Sequence, residues 1–170
     1  GTSKRHYVVD SNRGINSTSP YLHTDQTVSE GTGNSTGVSG VSSTSISFGG
    51  GLDYVNASSN TYVAWNWRTN GATTSSNSSG SITSTVQADP SGGFSVVTWT
   101  GAAGAWGTLG TVGHGLSASP TVILAKTRSG SGEWCCFFSD YGGATIGGSN
   151  AASNKLQLNV HDALYTNQSY

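Results

Sequence analysis

Few side chains in this sequence are of the types that carry catalysis or bind metals, and they are scattered. The four histidines are His6, His23, His114 and His161. No two of them have the spacing of metal ligands, and no Cys-x-x-Cys pair is present. The eight Asp and Glu residues form no calcium-binding loop. We therefore predict no metal, no cofactor and no catalytic residue.

One motif has the form of a nucleophile elbow. Residues 33–37 fit G-x-S-x-G, which presents its serine on a turn between a strand and a helix. No helical pattern follows here, and Ser (29), Thr (21) and Gly (25) are so frequent in the 170 residues that such matches arise by chance. A glycosidase needs only two facing carboxylates, which can be distant in sequence, so a polysaccharide-degrading enzyme stays open as a third alternative.

Two further sites are interpreted as structural. His114 lies between Gly113 and Gly115, where its ring can hydrogen-bond the backbone of a turn and fix that turn. Cys135 and Cys136 are adjacent, so on a strand they point to opposite faces, which is poor geometry for a mutual disulfide. We predict that the two thiols pack as small hydrophobic side chains.

Three aromatic residues near predicted turns are candidates for a contact surface. Trp106 lies in the Gly/Ala-rich stretch 101–107, and Tyr141 and Tyr165 also flank turns. Exposed loop aromatics on a rigid β scaffold can bind sugars or another protein. Packing of these rings onto the core or onto a neighbouring subunit is an equally open alternative.

Composition and charge exclude several classes of partner. Seven Lys and Arg against eight Asp and Glu give a formal net charge of −1, which disfavours nucleic-acid binding. The longest apolar run, 122–125, has the length of a strand and predicts no membrane insertion. Charged residues make up only 9%, and the abundant Ser, Thr and Gly are poor helix formers.

The elements that must position these residues are predicted to be strands. Apolar and β-branched patterns between turn clusters indicate strands at 61–67, 81–88, 94–100, 121–125, 134–138 and 155–160. The first would place Val63, Trp65 and Trp67 on one face, and 121–125 would be covered on both faces. Gly31 and Thr32 begin a predicted turn cluster. We predict an all-β fold, an antiparallel β-sandwich or jelly roll that a neighbouring repeat or subunit would complete.

A weak internal repeat suggests how the chain is divided. Residues 6–14 resemble 134–143, and residues 21–25 resemble 158–162. On this basis 1–68 is part of a first β unit, 69–81 is a Ser/Thr/Gly-rich connection, and 82–170 is a second, truncated β unit.

The series of motifs over residues 61–128 resembles a known family. It comprises the segments 62–67, 80–89, 93–101, 111–116 and 123–128, preceded by 9–14. It is similar to the repeated β domains in tail-fibre and other virion structural proteins of marine bacteriophages, which are concanavalin- or laminin-G-like sandwiches. Asn66 and the insertion around Trp106 depart from that pattern.

The resemblance implies a non-enzymatic structural or adhesive module of a phage fibre or virion surface, assembled in the bacterial cytoplasm and exposed outside the cell. Its partners would be other copies of itself or other virion proteins, in an elongated homo-oligomer. Contact of its loops with host-surface glycans is left open. The alternative from a different class is a carbohydrate-binding domain of a secreted or cell-surface protein.

Overall fold

The computed structural model describes residues 5–32, 37–49, 55–69, 71, 73–102, 110–138 and 156–160. These residues contain strands and no helix, and every ladder between their strands is antiparallel. The strands are β1 (Pro20–Tyr21), β2 (Gly31–Thr32), β3 (Val38–Val41), β4 (Ile46–Phe48), β5 (Ser75–Asn77), β6 (Ser84–Asp89), β7 (Phe94–Trp99), β8 (Val122–Ala125), β9 (Cys135–Phe138) and β10 (Leu156–Gln157). The predicted all-β, antiparallel fold is confirmed.

The strands form four small sheets. Two are hairpin-like pairs, β1-β2 and β3-β4, and two have three strands, in the orders β5-β6-β7 and β10-β9-β8. The longest ladder joins β6 to β7, from Ser84 opposite Trp99 to Asp89 opposite Phe94. At its closed end the Asp89 carboxylate accepts hydrogen bonds from the Ser91 hydroxyl at 2.6 Å and the Gly92 amide at 2.9 Å, which fixes the turn.

Most of the predicted strands exist, with altered bounds. The strands predicted at 81–88, 94–100, 121–125 and 134–138 correspond to β6, β7, β8 and β9, and 155–160 contains the two-residue β10. The prediction that 121–125 is covered on both faces is wrong, because Val122 and Leu124 are about half exposed. The strand predicted at 61–67 is also absent, since these residues join no ladder.

The turn predicted at Gly31 and Thr32 is wrong as well, because both residues form β2. Gly31 pairs with Tyr21 of β1. A Cβ atom on residue 31 would lie 2.3 Å from the Tyr21 ring. Glycine at this position therefore allows an aromatic ring to lie across the strand, rather than making a turn.

The core of the described part is small and half polar. Its buried apolar side chains are Leu22, Val86, Trp134 and Cys136, and its buried polar ones are Ser19, His23, Ser84 and Gln87. Around β1, the rings of Tyr7 and Tyr21 lie 4.9 Å apart and both contact His23. The indole N–H of Trp134 donates to the His23 carbonyl at 2.7 Å, which ties β9 to this cluster.

Contacts cross the predicted division of the chain. Asn12, from the predicted first unit, bonds to carbonyls of β6 and β7 in the second. Glu30, also from the predicted first unit, forms an ion pair with Arg128 from the second. The predicted connection 69–81 contains β5, which pairs with β6. The division into two units itself stays a prediction. No helix in the described part of the chain is long and apolar enough to cross a membrane.

Candidate functional site

The structure describes one of the four residues that the sequence singled out. Trp106, Tyr141 and Tyr165 lie outside the described residues. His114 follows the buried Gly113, and its Nδ1 accepts a hydrogen bond from the Leu116 amide at 3.1 Å. This bond closes a short turn in which Gly115 has a φ of +74°. The geometry supports a structural role for His114, which stays a prediction.

The most exposed aromatic side chains of the described residues lie elsewhere, in residues 61–67, which we call the aromatic segment. Val63, Trp65 and Trp67 are 78%, 77% and 66% exposed, and Tyr62 is about half exposed. Residues 61–69 contain no turn or bend, so the chain runs without a sharp change of direction. No backbone hydrogen bond joins the aromatic segment to any other described residue. The segment thus has the composition of a strand but no partner strand in the described part of the chain.

Contacts at both ends hold the aromatic segment in place. The Tyr62 hydroxyl accepts a hydrogen bond from the Ala57 amide at 2.9 Å, across a turn in which Ser59 has a positive φ of 67°. At the other end the Trp67 ring stacks on Phe94 of β7, with centroids 5.9 Å apart and planes at 11°. The middle of the segment, around Trp65, is therefore presented to solvent between two fixed ends.

A second surface feature is a groove beside β6 and β7, which we call the hydroxyl groove. Its volume is about 220 Å³, and its lining is mostly polar. The lining residues are Ser76, Thr83, Ser84, Thr85, Thr98, Trp99, Thr100 and Arg128. Threonines of β6 and β7 lie directly opposite each other here, as Thr85 pairs with Thr98. Such a surface offers hydrogen-bond donors and acceptors without a net charge of its own, apart from Arg128.

A charged cluster lies next to this groove. Its four members are Asp10, Arg13, Glu30 and Arg128. The Arg13 side chain is 4% exposed and bonds the Asp10 carboxylate at 2.5 Å and the Glu30 carboxylate at 2.7 Å. Arg128 binds both oxygens of Glu30, each at 2.8 Å. Two positive and two negative groups are thus mutually paired, which is the arrangement that buried charges require.

The electrostatics of this cluster indicate a structural role. Burial by itself would raise the pKa of Glu30, but the hydrogen bonds and charges of Arg128 and Arg13 outweigh it and hold that pKa below its ordinary value. The bond to Glu30 raises the pKa of Arg128, more than burial lowers it. The two arginines favour the charged form of Glu30, so this carboxylate is not poised as a proton donor.

The cysteine thiols are another kind of side chain that could be reactive. Cys135 and Cys136 are free, as predicted, and burial raises the pKa of Cys136, with the neighbouring Cys135 raising it further. A raised pKa keeps this thiol protonated and unreactive. Among the residues described here, no group of three or more His, Cys, Asp or Glu side chains is close enough to hold a metal ion.

The sequence pattern pointed to aromatic residues in loops and did not predict that the aromatic segment is exposed. The alternation of large and small residues at 62–67 was the available signal, but it indicates a half-buried strand. Nothing in the local sequence distinguishes a strand paired within its own chain from one left unpaired. The hydroxyl groove was likewise missed, because its residues come from separate parts of the sequence and meet only through the β6–β7 register.

Comparison with known proteins gives a family and nothing narrower. No curated protein and no solved structure matches the chain significantly. A family model matches residues 1–170, which is the whole sequence. Since the match covers the whole sequence, the chain belongs to the family described as "Domain of unknown function (DUF7483)".

Proposed function

We propose that the protein is a structural module that assembles with further copies of itself, as a part of a phage fibre or virion surface. The observation that carries the proposal is the aromatic segment: Val63, Trp65 and Trp67 are mostly exposed on a strand-like stretch that pairs with no strand among the described residues. Exposed strand edges with apolar side chains attract other chains, and soluble monomers usually protect them.

Burying the aromatic segment in an assembly is energetically favourable. Fully burying a large apolar side chain stabilises by roughly 1.5–3 kcal/mol, so three such side chains contribute several kcal/mol to association. Association has its own entropic cost, which such a cluster of aromatic anchors is suited to offset. Low charge also supports assembly, because a chain with a formal net charge of −1 repels its copies only weakly.

The oligomeric state of the purified chain tests self-assembly. Light scattering coupled to size-exclusion chromatography should show oligomers that dissociate on dilution. Trp65→Ser should shift the equilibrium towards monomer by at least about tenfold, since losing one buried Trp costs more than the 1.4 kcal/mol that corresponds to that factor. Val41→Ser is the matched control, because Val41 is also exposed, at 54%, but lies on β3. A monomer at all concentrations contradicts the proposal.

The virion part of the proposal rests on the resemblance of residues 61–128 to phage structural domains. Electron microscopy of the native assembly, with gold-labelled antibodies against this chain, tests it. We expect labels at regular intervals along a fibre or over a capsid surface. Label on a cell envelope with none on virions would instead favour the alternative of a secreted or cell-surface domain.

Carbohydrate binding is the second candidate, and the hydroxyl groove favours it. Sugars are bound by hydroxyl and amide groups beside an aromatic ring, and the groove combines six Thr or Ser side chains on strands or next to strand ends with Trp99. A glycan array should detect binding that the double substitution Thr85→Val and Thr98→Val abolishes. Thr44→Val, at an exposed position on another hairpin, is the control. Binding that is lost in Trp106→Ala and kept in the threonine variant would place the sugar on that loop instead.

A further inference from the structure

We infer that the aromatic segments of two copies pair with each other as antiparallel strands, with Ala64 of each copy on a twofold axis. The inference rests on the proposed self-assembly and specifies its contact. It follows from three properties of residues 61–67: an unpaired backbone, an alternating apolar face, and a sequence that is complementary to itself in one register.

The backbone of the aromatic segment is available for pairing. Residues 61–69 belong to no ladder, and no described residue forms a backbone hydrogen bond to the aromatic segment. The amides and carbonyls along one edge of the segment can therefore pair with a partner strand, which is how an extended peptide adds to an exposed edge. A second copy offers the same strand, so that one contact pairs the facing edge of each copy.

The side chains select the register. With Ala64 opposite Ala64 of the second copy, Val63 faces Trp65, and Thr61 faces Trp67, each twice by symmetry. Directly opposed residues lie on one face of a two-stranded ribbon, and aromatic pairs with β-branched residues are among the favourable cross-strand pairs. The small Ala64 occupies the position where a residue must meet itself. A shift by one residue would put Trp65 opposite Ala64 or Tyr62, and Trp67 opposite Tyr62 or Asn60, so that neither Trp would face a β-branched residue.

The charge and the exposed side-chain area of the aromatic segment are both compatible with a second copy as its partner. No charged residue occurs between positions 54 and 67, so the paired strands contain no repulsive contact. Arg68 of each copy lies opposite Asn60, at opposite ends of the ribbon, and its charge already acts on Asp89 of its own chain. At about 150–250 Å² per aromatic side chain, Tyr62, Val63, Trp65 and Trp67 offer roughly 500 Å² per copy. Two copies therefore approach the ~1,000 Å² that a specific interface needs.

Cysteine cross-linking tests the register directly. Ala64→Cys places two thiols opposite each other, at the ~4.5–5.5 Å Cα separation of paired strands, which a disulfide spans. Asn66→Cys is the matched control, because the two copies of residue 66 would lie four residues apart along the ribbon, about 13 Å. On mild oxidation we expect at least tenfold more covalent dimer from Ala64→Cys than from Asn66→Cys. The unsubstituted chain reports the background from Cys135 and Cys136.

A mixed experiment adds a positive control. Tyr62→Cys and Asn66→Cys lie opposite each other across the proposed pair, so a mixture of the two variants should cross-link although neither does so alone. Size-exclusion chromatography of each reduced variant verifies that it is folded and keeps the elution volume of the parent chain.

The outcomes separate this inference from the proposed function. Oligomers in which Asn66→Cys cross-links as well as Ala64→Cys would overturn the register and leave self-assembly intact. Oligomers that neither variant cross-links would place the contact on another surface and would also overturn the inference. A chain that stays monomeric would overturn both. Selective cross-linking of Ala64→Cys, together with the mixed pair, supports the inference.

Discussion

Two loops of this protein invert the usual relation between polarity and burial. The N-terminal loop, residues 10–14, is polar and charged, yet its side chains pack into the molecule and Arg13 is 4% exposed. The aromatic segment is almost entirely apolar or neutral, yet Trp65 is 77% exposed. If hydrophobicity alone decided burial, residues 10–14 would be exposed and the aromatic segment would be buried.

The difference shows that hydrogen-bonding partners decide which loop is buried. Asn12 donates from its amide to the Thr85 carbonyl at 3.1 Å and to the Val96 carbonyl at 2.8 Å. Ser11 donates to the carboxamide of Gln87, which is fully buried beneath the loop. The N-terminal loop thus finds its partners within the chain. The backbone of the aromatic segment finds none among the described residues, which is why we assign its partner to a second copy.

Removal of Arg13 should produce the largest effect on the N-terminal loop. Arg13→Met keeps the aliphatic stem but leaves Asp10 without its partner and Glu30 with Arg128 alone. Breaking a buried ion pair by removing one member costs about 3–5 kcal/mol, and we expect about 3 kcal/mol because Glu30 retains one partner. Chemical denaturation followed by tryptophan fluorescence measures this loss of unfolding free energy.

The matched control for Arg13 is the other arginine of the cluster. Arg128→Met removes a side chain that is far more exposed, so the lost free energy should be about 1 kcal/mol or less. If the two substitutions cost the same, the burial of the N-terminal loop would not depend on Arg13, and the contrast with the aromatic segment would lose its physical basis.

Asn12 should give the next largest effect. Asn12→Ala removes both hydrogen bonds to β6 and β7 and leaves two carbonyls to be satisfied by water, at a cost of about 1–3 kcal/mol. Asn60→Ala is the control, because the Asn60 side chain is exposed and its one bond, to Tyr62, is 3.4 Å long. A loss for Asn12→Ala within about 0.5 kcal/mol of the control would show that the burial of the loop does not depend on Asn12.

The strands with local sequence signals were predictable, and those defined by distant pairing were not. β6 alternates polar and apolar residues, β7 is rich in β-branched and aromatic residues, and β8 and β9 are apolar runs. These patterns indicate strands without knowledge of the partner. β2 is Gly31–Thr32 and β3 contains Gly40, so their local composition indicates turns. They are strands because other strands pair with them. Gly31 of β2 pairs with Tyr21 of β1, and Gly40 of β3 pairs with Ser47 of β4 across a hairpin. Pairing of that kind is a tertiary property that local propensity does not contain.

The candidate site fails to appear in the sequence for the same reason. Residues 61–67 alternate as a strand should, and they are not one because no strand of the described part of the chain pairs with them. Gln87 alternates with apolar residues and belongs to the polar face of β6, yet it is fully buried and bonded to Ser11 of the N-terminal loop. In both cases the pattern gave the direction of the side chain, and only the fold determined what covers it.

Acid should weaken the N-terminal loop before it affects the aromatic segment. The folded-state pKa of Glu30 lies below its ordinary value of 4.5, so the stability gained from Glu30 is present above that value and is lost as the pH falls through the folded pKa. We expect the part of the unfolding free energy that depends on Glu30 to decline below about pH 4.5 by less than the effect of Asn12→Ala, because a single carboxyl group contributes it. Glu30→Gln should flatten this decline, and an unchanged slope would contradict the coupling.

Trp65→Ser should have the smallest effect on the stability of the single chain. Trp65 is 77% exposed and neither donates nor accepts a side-chain hydrogen bond among the described residues, so its replacement should change the unfolding free energy of the monomer by less than about 0.5 kcal/mol. Measurement at a concentration below the association range isolates that term, and Trp134→Phe, at a buried position whose indole N–H is bonded, provides the contrasting loss. If Trp65→Ser proved as costly as Trp134→Phe in the monomer, the aromatic segment would be packed within its own chain. It would then need no second copy, and the contrast with the N-terminal loop would disappear.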